Sequence, residues 1–168
     1  TAVSAGNGLL IRDRAAFERA RNVNAIVFDK TGTLTEGRFG VTDVIALGGR
    51  SEDELLQLAA SIESQSEHPI AQGIVRTAEE RGLKLTSPKA FSAIPGKGAQ
   101  ATVDGQAVKV VSPGYLREHE LVADDDRIRQ VAEEGKTVIY VLIDEQVAGA
   151  IALADIIRAE SREALARL

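Results

Sequence analysis

The stretch Asp-Lys-Thr-Gly-Thr-Leu-Thr at positions 29–35 combines a carboxylate, an ammonium group, hydroxyls and a glycine. It follows the apolar run 24–28, which predicts a short buried strand of a parallel sheet. Asp29 would then lie at the carboxyl end of that strand, the edge of an open α/β sheet where ligands bind. There a carboxylate can attack a phosphoryl group, provided that Mg²⁺ neutralises the phosphate oxygens. The alternative is an Asx turn in which Asp29 bonds only backbone amides.

The complete string 29–35 resembles the phosphorylation signature of the P-type ATPases, whose phosphorylation domain has the haloacid-dehalogenase fold. The resemblance implies that Asp29 is the residue phosphorylated by ATP. It also implies that Asp29 and the backbone carbonyl of Thr31 are Mg²⁺ ligands. Lys30 and Thr33 would support the phosphate region.

A second informative stretch is Ser-Glu-His-Pro at 66–69, where a histidine immediately precedes a proline that suits the first turn of a helix. By spacing alone, His68 is a capping or surface residue. However, the stretch resembles the nucleotide-binding signature of the heavy-metal-transporting P-type ATPases. That resemblance implies that His68 packs on the adenine ring of ATP and that Glu67 bonds the adenine edge.

Two glycines in Ile-Pro-Gly-Lys-Gly, Gly96 and Gly98, form a pattern that by itself usually marks a turn. In the resembled family such a loop lets the backbone approach the nucleotide. Many members also carry a Gly-Asn pair after the next hairpin. The corresponding region here, 111–115, reads Val-Ser-Pro-Gly-Tyr, so that contact is absent or is replaced by Ser112.

Asp155 and Arg158 lie near the end of the chain, where a first-turn aspartate and an exposed arginine are ordinary features of a helix start. In the resembled family an Asp-x-x-Arg segment follows the second inter-domain hinge and links the two domains around the nucleotide. Gly135-Lys-Thr is not a phosphate-binding P-loop, because Gln130 occupies the position of the earlier glycine. His119 stands among charged residues and is predicted to be a surface side chain.

The elements that must position these residues follow from hydrophobic periodicity and turn signals. A capping box at Ser51 begins a predicted helix, and Asp104-Gly105 is a strong hairpin signal. The remaining predictions are a loose helix over 10–20, a loop or hinge over 31–40, a strand over 41–47, helix ends at 63–65 and Gly82, a helix over 126–135, a hairpin turn at 144–146 and a final helix from Ile156 to Leu168.

These elements predict an α/β chain that contains two kinds of unit. Residues 39–147 form an α+β nucleotide-binding domain with an antiparallel sheet and flanking helices. It is inserted into an incomplete haloacid-dehalogenase-like, Rossmann-type phosphorylation domain, whose first part is 1–38 and whose second part begins at 148–168. Residues 37–40 and 147–149 are the predicted hinges.

Composition excludes several kinds of function. The 168 residues are 44% hydrophobic with a net charge of −5, and Lys and Arg form no long cluster, which argues against a nucleic-acid partner. The absence of Cys excludes disulfides and thiolate chemistry. No run approaches the ~18 apolar residues of a membrane span. Because the chain lacks Met and opens on Thr1, we expect a piece of a larger protein.

The resemblance implies the ATP-binding region of an ATPase that couples ATP hydrolysis, through an aspartyl phosphate, to heavy-metal export across a membrane. Copper is favoured because copper export is the commonest function of that class, and zinc or another soft divalent ion is the alternative. The partners would be adenine nucleotide, the actuator and transmembrane domains of the same parent chain, and a transported metal bound elsewhere in the parent. The region would lie on the cytoplasmic side of the membrane.

Taken alone, the chain is expected to be soluble, to bind ATP weakly and to show little turnover. The later Thr-Gly-Asp and Gly-Asp-Gly-x-x-Asn-Asp signatures of the family are missing. One alternative is a soluble haloacid-dehalogenase phosphatase, which would carry a general-acid aspartate two residues after Asp29, where Thr31 stands. The other alternative is a nucleotide-binding module without catalysis.

Overall fold

A computed structural model describes Gly6, residues 11–19 and residues 22–167 of the chain. The described helices are α1 Arg14–Arg19, α2 Glu52–Glu63, α3 Pro69–Glu80, α4 Pro113–Glu118, α5 Asp126–Glu133 and α6 Ala159–Ala166. The described strands are β1 Thr35–Ala46, β2 Lys89–Ile94, β3 Gly98–Val103, β4 Gln106–Val111, β5 Thr137–Ile143 and β6 Gln146–Ile157. None of these helices combines the length and the apolar run needed to cross a bilayer.

The strands form one sheet in the order β1-β6-β5-β4-β3-β2, and every neighbouring pair is antiparallel. The hairpins β3–β4 and β5–β6 turn at Asp104-Gly105 and Asp144-Glu145. The long strands β1 and β6 pair from Ala46 opposite Gly149 to Thr35 opposite Ile157. The mixed α/β fold with an antiparallel sheet is therefore confirmed.

Both faces of the sheet are covered, because its central strands carry apolar residues on both sides. The larger core packs α2 and α3 against one face, with fully buried Leu55, Ile74 and Ile151 among its members. On the other face, smaller clusters form under α5, around Ile128, and under α4, around Leu142.

Side-chain caps begin the helices that the sequence predicts. Ser51 Oγ accepts a hydrogen bond from the Glu54 amide at 3.1 Å, and Asp125 Oδ1 accepts one from the Arg127 amide at 2.9 Å. Each cap satisfies an amide that has no partner inside its helix. The predicted helices after Ser51, at Pro69 and over 126–135 are confirmed, as are both hairpins.

The predicted buried strand over 24–28 is wrong. Residues 23–29 have no regular secondary structure, and Val27 and Phe28 are 96% and 40% exposed. A buried parallel strand needs neighbours on both edges and cover on both faces. The part of the chain that the structure describes offers neither, because its sheet is antiparallel and ends at β1.

Two element boundaries also differ from expectation. The predicted loop over 31–40 ends at Leu34, because Thr35, Phe39 and Gly40 already pair with β6. The final helix begins at Ala159 rather than Ile156, because β6 continues to Ile157. Helix α4 has no counterpart among the predicted elements. Leu10, Ala20 and the predicted helix end at Leu168 lie outside the described residues.

The two predicted domain boundaries, 38/39 and 147/148, lie inside β1 and β6. These strands are hydrogen-bonded to each other on both sides of the first boundary. The division into domains stays a prediction.

Burial along β6 yields a matched test of the core. Replacing Ile151, which is 0% exposed, with Ala should lower the free energy of unfolding by about 3–4 kcal/mol, because it removes buried methyl groups and leaves a cavity. The same change at Ile157, which is 52% exposed in the same strand, should cost less than ~1 kcal/mol. Urea denaturation of both variants measures the difference, and equal losses would contradict the described core.

Candidate functional site: a phosphorylation-type loop and a nucleotide-sized pocket

The motif at 29–35 begins in an extended segment and then makes a wide turn over Lys30–Leu34. Gly32 has φ +79°, a conformation that glycine adopts without steric cost, and the turn closes when the Thr35 amide donates to the Lys30 carbonyl. The Thr35 side chain is buried beneath the turn, and its Oγ1 accepts the Gly32 amide at 3.3 Å. Asp29, Lys30, Thr31 and Thr33 are exposed. The turn thus presents the predicted nucleophile to solvent.

Two residues from the far end of the chain hold this turn in place. Arg158 donates from its amide to the Leu34 carbonyl at 3.0 Å and from Nε to the Thr35 carbonyl at 3.1 Å. Asp155 Oδ2 lies 2.5 Å from Thr35 Oγ1. The structure therefore brings Asp155 and Arg158 to the Asp29 motif, and neither lines the pocket that contains His68. Thr35, the last residue of the motif, makes the contacts with both side chains.

The second Asp155 oxygen, Oδ1, is buried and makes no hydrogen bond among the described residues. Asp155 also borders an open cavity of about 530 Å³ between α3 and the paired strands β1 and β6. Arg38, Arg76 and Arg162 lie around that cavity. The unpartnered oxygen thus belongs to a residue that lines a cavity with three arginines and Glu80, beside the motif turn.

A separate pocket of about 450 Å³ lies between the α2–α3 connection and the β2–β3 hairpin. Its size is in the range of pockets that hold small organic ligands. It contains three of the predicted binding residues, His68, Gly96 and Gly98, together with Ser112. Other lining residues are Glu63, Ser66, Ile70, Phe91, Lys97, Val110 and Ile139. Asp29 is not among the lining residues.

His68 has its orientation set by the helix that it precedes. Its Nδ1 accepts a hydrogen bond from the Ile70 amide at 3.2 Å, so the ring serves as the N-cap of α3. In a neutral ring that accepts through Nδ1, the proton is on Nε2. The capping role expected from spacing is confirmed, and the same contact fixes the imidazole at the pocket wall.

The acidic residue that lines the pocket is Glu63, not the predicted Glu67. Glu63 is the last residue of α2 and is 8% exposed. Burial raises the pKa of its carboxyl to about 7, and a hydrogen bond with Ser66 opposes part of that rise. Glu67 is exposed, and its carbonyl accepts from the Gln72 side chain. The sequence signal that could have found Glu63 was a charged residue on the apolar, core-facing side of a predicted helix.

The two glycines of the Gly-Lys-Gly loop are required for different reasons. A Cβ on Gly98, whose φ is +144°, would lie 1.9 Å from the Val110 carbonyl oxygen. The close approach of β3 to β4 therefore demands glycine there, whatever binds in the pocket. A Cβ on Gly96 would meet no described atom within 4 Å, and only its φ of +69° favours glycine.

The donor set at the start of the motif fits Mg²⁺. Asp29 and the Thr31 carbonyl offer hard oxygen donors, and no group of three or more His, Cys, Asp or Glu side chains suited to a metal occurs among the described residues. Mg²⁺ usually binds through one or two carboxylates and keeps waters and substrate phosphates as its other ligands. An exposed carboxylate that leaves room for phosphate oxygens meets that requirement.

Comparison with protein families decides the family of this chain. The sequence profile of the haloacid dehalogenase-like hydrolases matches residues 23–168, which include the motif turn, the pocket and the Asp155–Arg158 segment. The chain belongs to the haloacid dehalogenase-like hydrolases. The curated relatives of the chain are P-type ATPases. The Copper-exporting P-type ATPase B of Archaeoglobus fulgidus is 56% identical over 168 residues, which is all of this chain and 24% of that protein.

Solved structures of similar proteins agree with the fold. A zinc-transporting PIB-type ATPase in its E2.Pi state superposes with a TM-score of 0.87 and 38% identity, over 99% of this chain and 27% of its own. The N-domain of a copper-transporting P-type ATPase matches with a TM-score of 0.55 and 35% identity, over 68% of this chain and 99% of its own. The chain therefore spans about a quarter of the length of these P-type ATPases.

The buried carboxyl of Glu63 predicts a specific pH dependence of stability. Its pKa rises from 4.5 to about 7 on folding, so its favourable contribution is complete below pH 4.5 and is lost as the pH rises through about 7. At pH 8 the ionised carboxylate should cost the folded protein on the order of 3 kcal/mol. Glu63→Gln should therefore be more stable than the wild type at pH 8 and about equally stable at pH 4.5.

Urea denaturation at the two pH values measures this effect. Glu67→Gln is the matched control, because it makes the same substitution at an exposed side chain of the neighbouring loop. If Glu63→Gln and the wild type lose stability in parallel from pH 4.5 to pH 8, the burial of this carboxyl is wrongly assigned.

Proposed function

We propose that this chain is the ATP-binding catalytic region of a P-type ATPase that is phosphorylated on Asp29 and exports copper across a membrane. The observation that carries the proposal is the combination of two sites on one fold. The turn held by Arg158 presents Asp29 to solvent, and His68 and the glycine loop line one pocket. The 56% identity to a copper-exporting P-type ATPase over the whole chain supports the same reading.

The pocket suits the adenine end of ATP. The imidazole of His68 offers a flat face at a fixed position, and Ile70, Val110 and Ile139 supply apolar wall. Glu63 takes the edge of the base, because its carboxyl accepts from an exocyclic amine when ionised and donates to a ring nitrogen when protonated. The predicted contact of Glu67 with adenine stays a prediction, on the exposed side of the same loop.

The reaction at Asp29 is a phosphoryl transfer. A carboxylate oxygen of Asp29 attacks the γ-phosphorus of ATP, the bond from that phosphorus to the bridging oxygen breaks, and ADP leaves. The ammonium group of Lys30 offsets the negative charge of the phosphate, and the hydroxyl of Thr33 donates a hydrogen bond to it. Asp29 and the Thr31 carbonyl would hold Mg²⁺, and the bound ion would supply positive charge to the phosphate oxygens. Water then hydrolyses the aspartyl phosphate in a step that drives transport.

The turn must keep its shape while this chemistry takes place, and Asp155 and Arg158 contribute that rigidity. Asp155 accepts a hydrogen bond from the Thr35 hydroxyl, and Arg158 donates one to the Thr35 carbonyl. They are positioning residues for Asp29 in this proposal. Because Asp155 and Arg158 contact Thr35 only where β1 pairs with β6, the orientation of Asp29 depends on that pairing.

We also propose the division into a phosphorylation domain, 1–38 and 148–168, and a nucleotide-binding domain, 39–147. An N-domain of a P-type ATPase, itself covered to 99%, matches 68% of this chain, which supports a unit of about the proposed size. Since Asp29 does not line the pocket, transfer requires the two units to approach each other. The proposed hinges at 37–40 and 147–149 lie within the paired strands β1 and β6, so the motion would bend this strand pair.

Copper is proposed over zinc because the relative with 56% identity is a copper exporter, whereas the zinc transporter is 38% identical. The proposed location is the cytoplasmic side of the membrane, where ATP is available. The proposed partners are the actuator and transmembrane domains of the same parent chain, and the transported metal would bind in the parent outside this region.

The nucleotide pocket is tested at His68 with a variant that keeps the helix cap. Asn is a favourable N-cap residue, so His68→Asn retains an acceptor for the Ile70 amide but loses the flat ring. We expect ATP affinity to fall about tenfold, measured by isothermal titration calorimetry, because base stacking is lost. His119→Asn is the control, since that ring stacks on Tyr115 outside the pocket. Unchanged affinity in His68→Asn would contradict the assignment of this pocket.

Phosphorylation is tested in the full-length protein with γ-³²P-labelled ATP. We expect an acid-stable, hydroxylamine-sensitive adduct that Asp29→Asn abolishes, because an amide cannot form the acyl phosphate. Asp104→Asn, in the hairpin turn, should be labelled like the wild type. The absence of any adduct, together with normal ATP binding, would leave a nucleotide-binding module and exclude the ATPase mechanism.

A further inference from the structure

The loop between β2 and β3 places a single cationic side chain, Lys97, at the nucleotide-sized pocket. Among the described residues that line the pocket, Lys97 is the only lysine or arginine. The other ionisable lining groups are Glu63 and His68, which we assigned to the base. A nucleotide in this pocket would carry phosphates with several negative charges. Lys97 is therefore the lining residue suited to meet them.

Hydrogen bonds fix the position of the Lys97 backbone. Its amide donates to the Ile94 carbonyl at 2.9 Å, and its carbonyl accepts from the Ser112 amide at 2.7 Å. The second bond ties the loop to the start of α4. Because both peptide groups of Lys97 are held, the ammonium group can change partners only by rotation of its side chain.

At present the ammonium group is paired with a carboxylate. Lys97 Nζ forms an ion pair with Glu118, the last residue of α4, and the two side chains are 30% and 58% exposed. Ion pairs this exposed contribute little to stability and exchange with water and other ions. A di- or triphosphate presents more negative charge than one carboxylate, so it can displace Glu118 from Lys97.

We propose that Lys97 binds the phosphates of the bound nucleotide and that Glu118 competes with them as an internal anion. The pair then favours nucleoside di- and triphosphates over AMP and adenosine, which cannot replace the carboxylate as well. This inference rests on the proposed function of the pocket. It adds to that function a residue that selects for phosphate number and a neighbour that sets the affinity.

Calorimetric titration of the 168-residue chain with ATP, ADP, AMP and adenosine at low salt tests the proposal. Lys97→Gln should weaken ATP about tenfold and leave adenosine within twofold, because only a phosphate contact is lost. Glu118→Gln should strengthen ATP about threefold, because the competing carboxylate is gone. In the Lys97→Gln background, Glu118→Gln should have no effect on ATP, since the two residues act through each other.

Two controls separate this local effect from net charge. Lys89→Gln and Glu133→Gln make the same charge changes at exposed positions that do not line the pocket, and both should bind ATP like the wild type. Equal loss of ATP and adenosine in Lys97→Gln would mean that Lys97 only supports the loop, and weaker ATP binding in Glu118→Gln would exclude competition. If the wild type binds none of the four ligands, the proposed function fails as well. If the wild type binds adenosine and Lys97→Gln binds ATP as tightly as the wild type does, this inference is overturned while the proposed function stands.

Discussion

The antiparallel pairing of β1 with β6 is the constraint on which the motif depends. It brings Thr35 next to Asp155, which is 120 positions away in the chain, and Arg158 next to the carbonyls of the turn. Hydrogen bonds between the strands set this register, which shifts between Val41 and Asp43 and again between Thr35 and Phe39, so that Thr35 lies opposite Ile157. A slip of one residue would turn Asp155 to the opposite face and leave Thr35 without it. The shape of the turn after Asp29 is therefore a property of the sheet as much as of its own residues.

The pocket depends on a different part of the same sheet. Strand β3 approaches β4 so closely that position 98 must be glycine, and the end of α2 meets the start of α3 above the β2–β3 hairpin. This packing buries Glu63 beside His68 and gives its carboxyl a pKa near neutrality. The two sites thus lie toward opposite edges of the sheet: the motif turn is next to the edge strand β1, and the pocket is next to the edge strand β2. That separation is why phosphoryl transfer in our proposal requires the two units to move.

Much of the local structure could be predicted, because it depends on neighbours in the chain. Ser51, Pro69 and Asp104-Gly105 carry their own capping, helix-start and turn preferences, and the structure follows them. The run 24–28 could not be predicted in the same way. Its residues favour a strand, but a strand exists only with a partner, and the described residues supply none. The signatures around Asp29 and His68 predicted the family correctly, since they are contiguous strings of unusual composition.

The sequence by itself determined the helices after Ser51, at Pro69 and over 126–135, both hairpins, the candidate nucleophile Asp29 and the family to which the chain belongs. Only the tertiary structure decided that Glu63 rather than Glu67 faces the pocket, that Asp155 and Arg158 reach the Asp29 turn through Thr35, and that Lys97 is paired with Glu118. The physical reason is range. Caps, turns and periodicity arise between residues a few positions apart. Burial, strand register and ion pairing arise between segments that meet only when the whole sheet has formed.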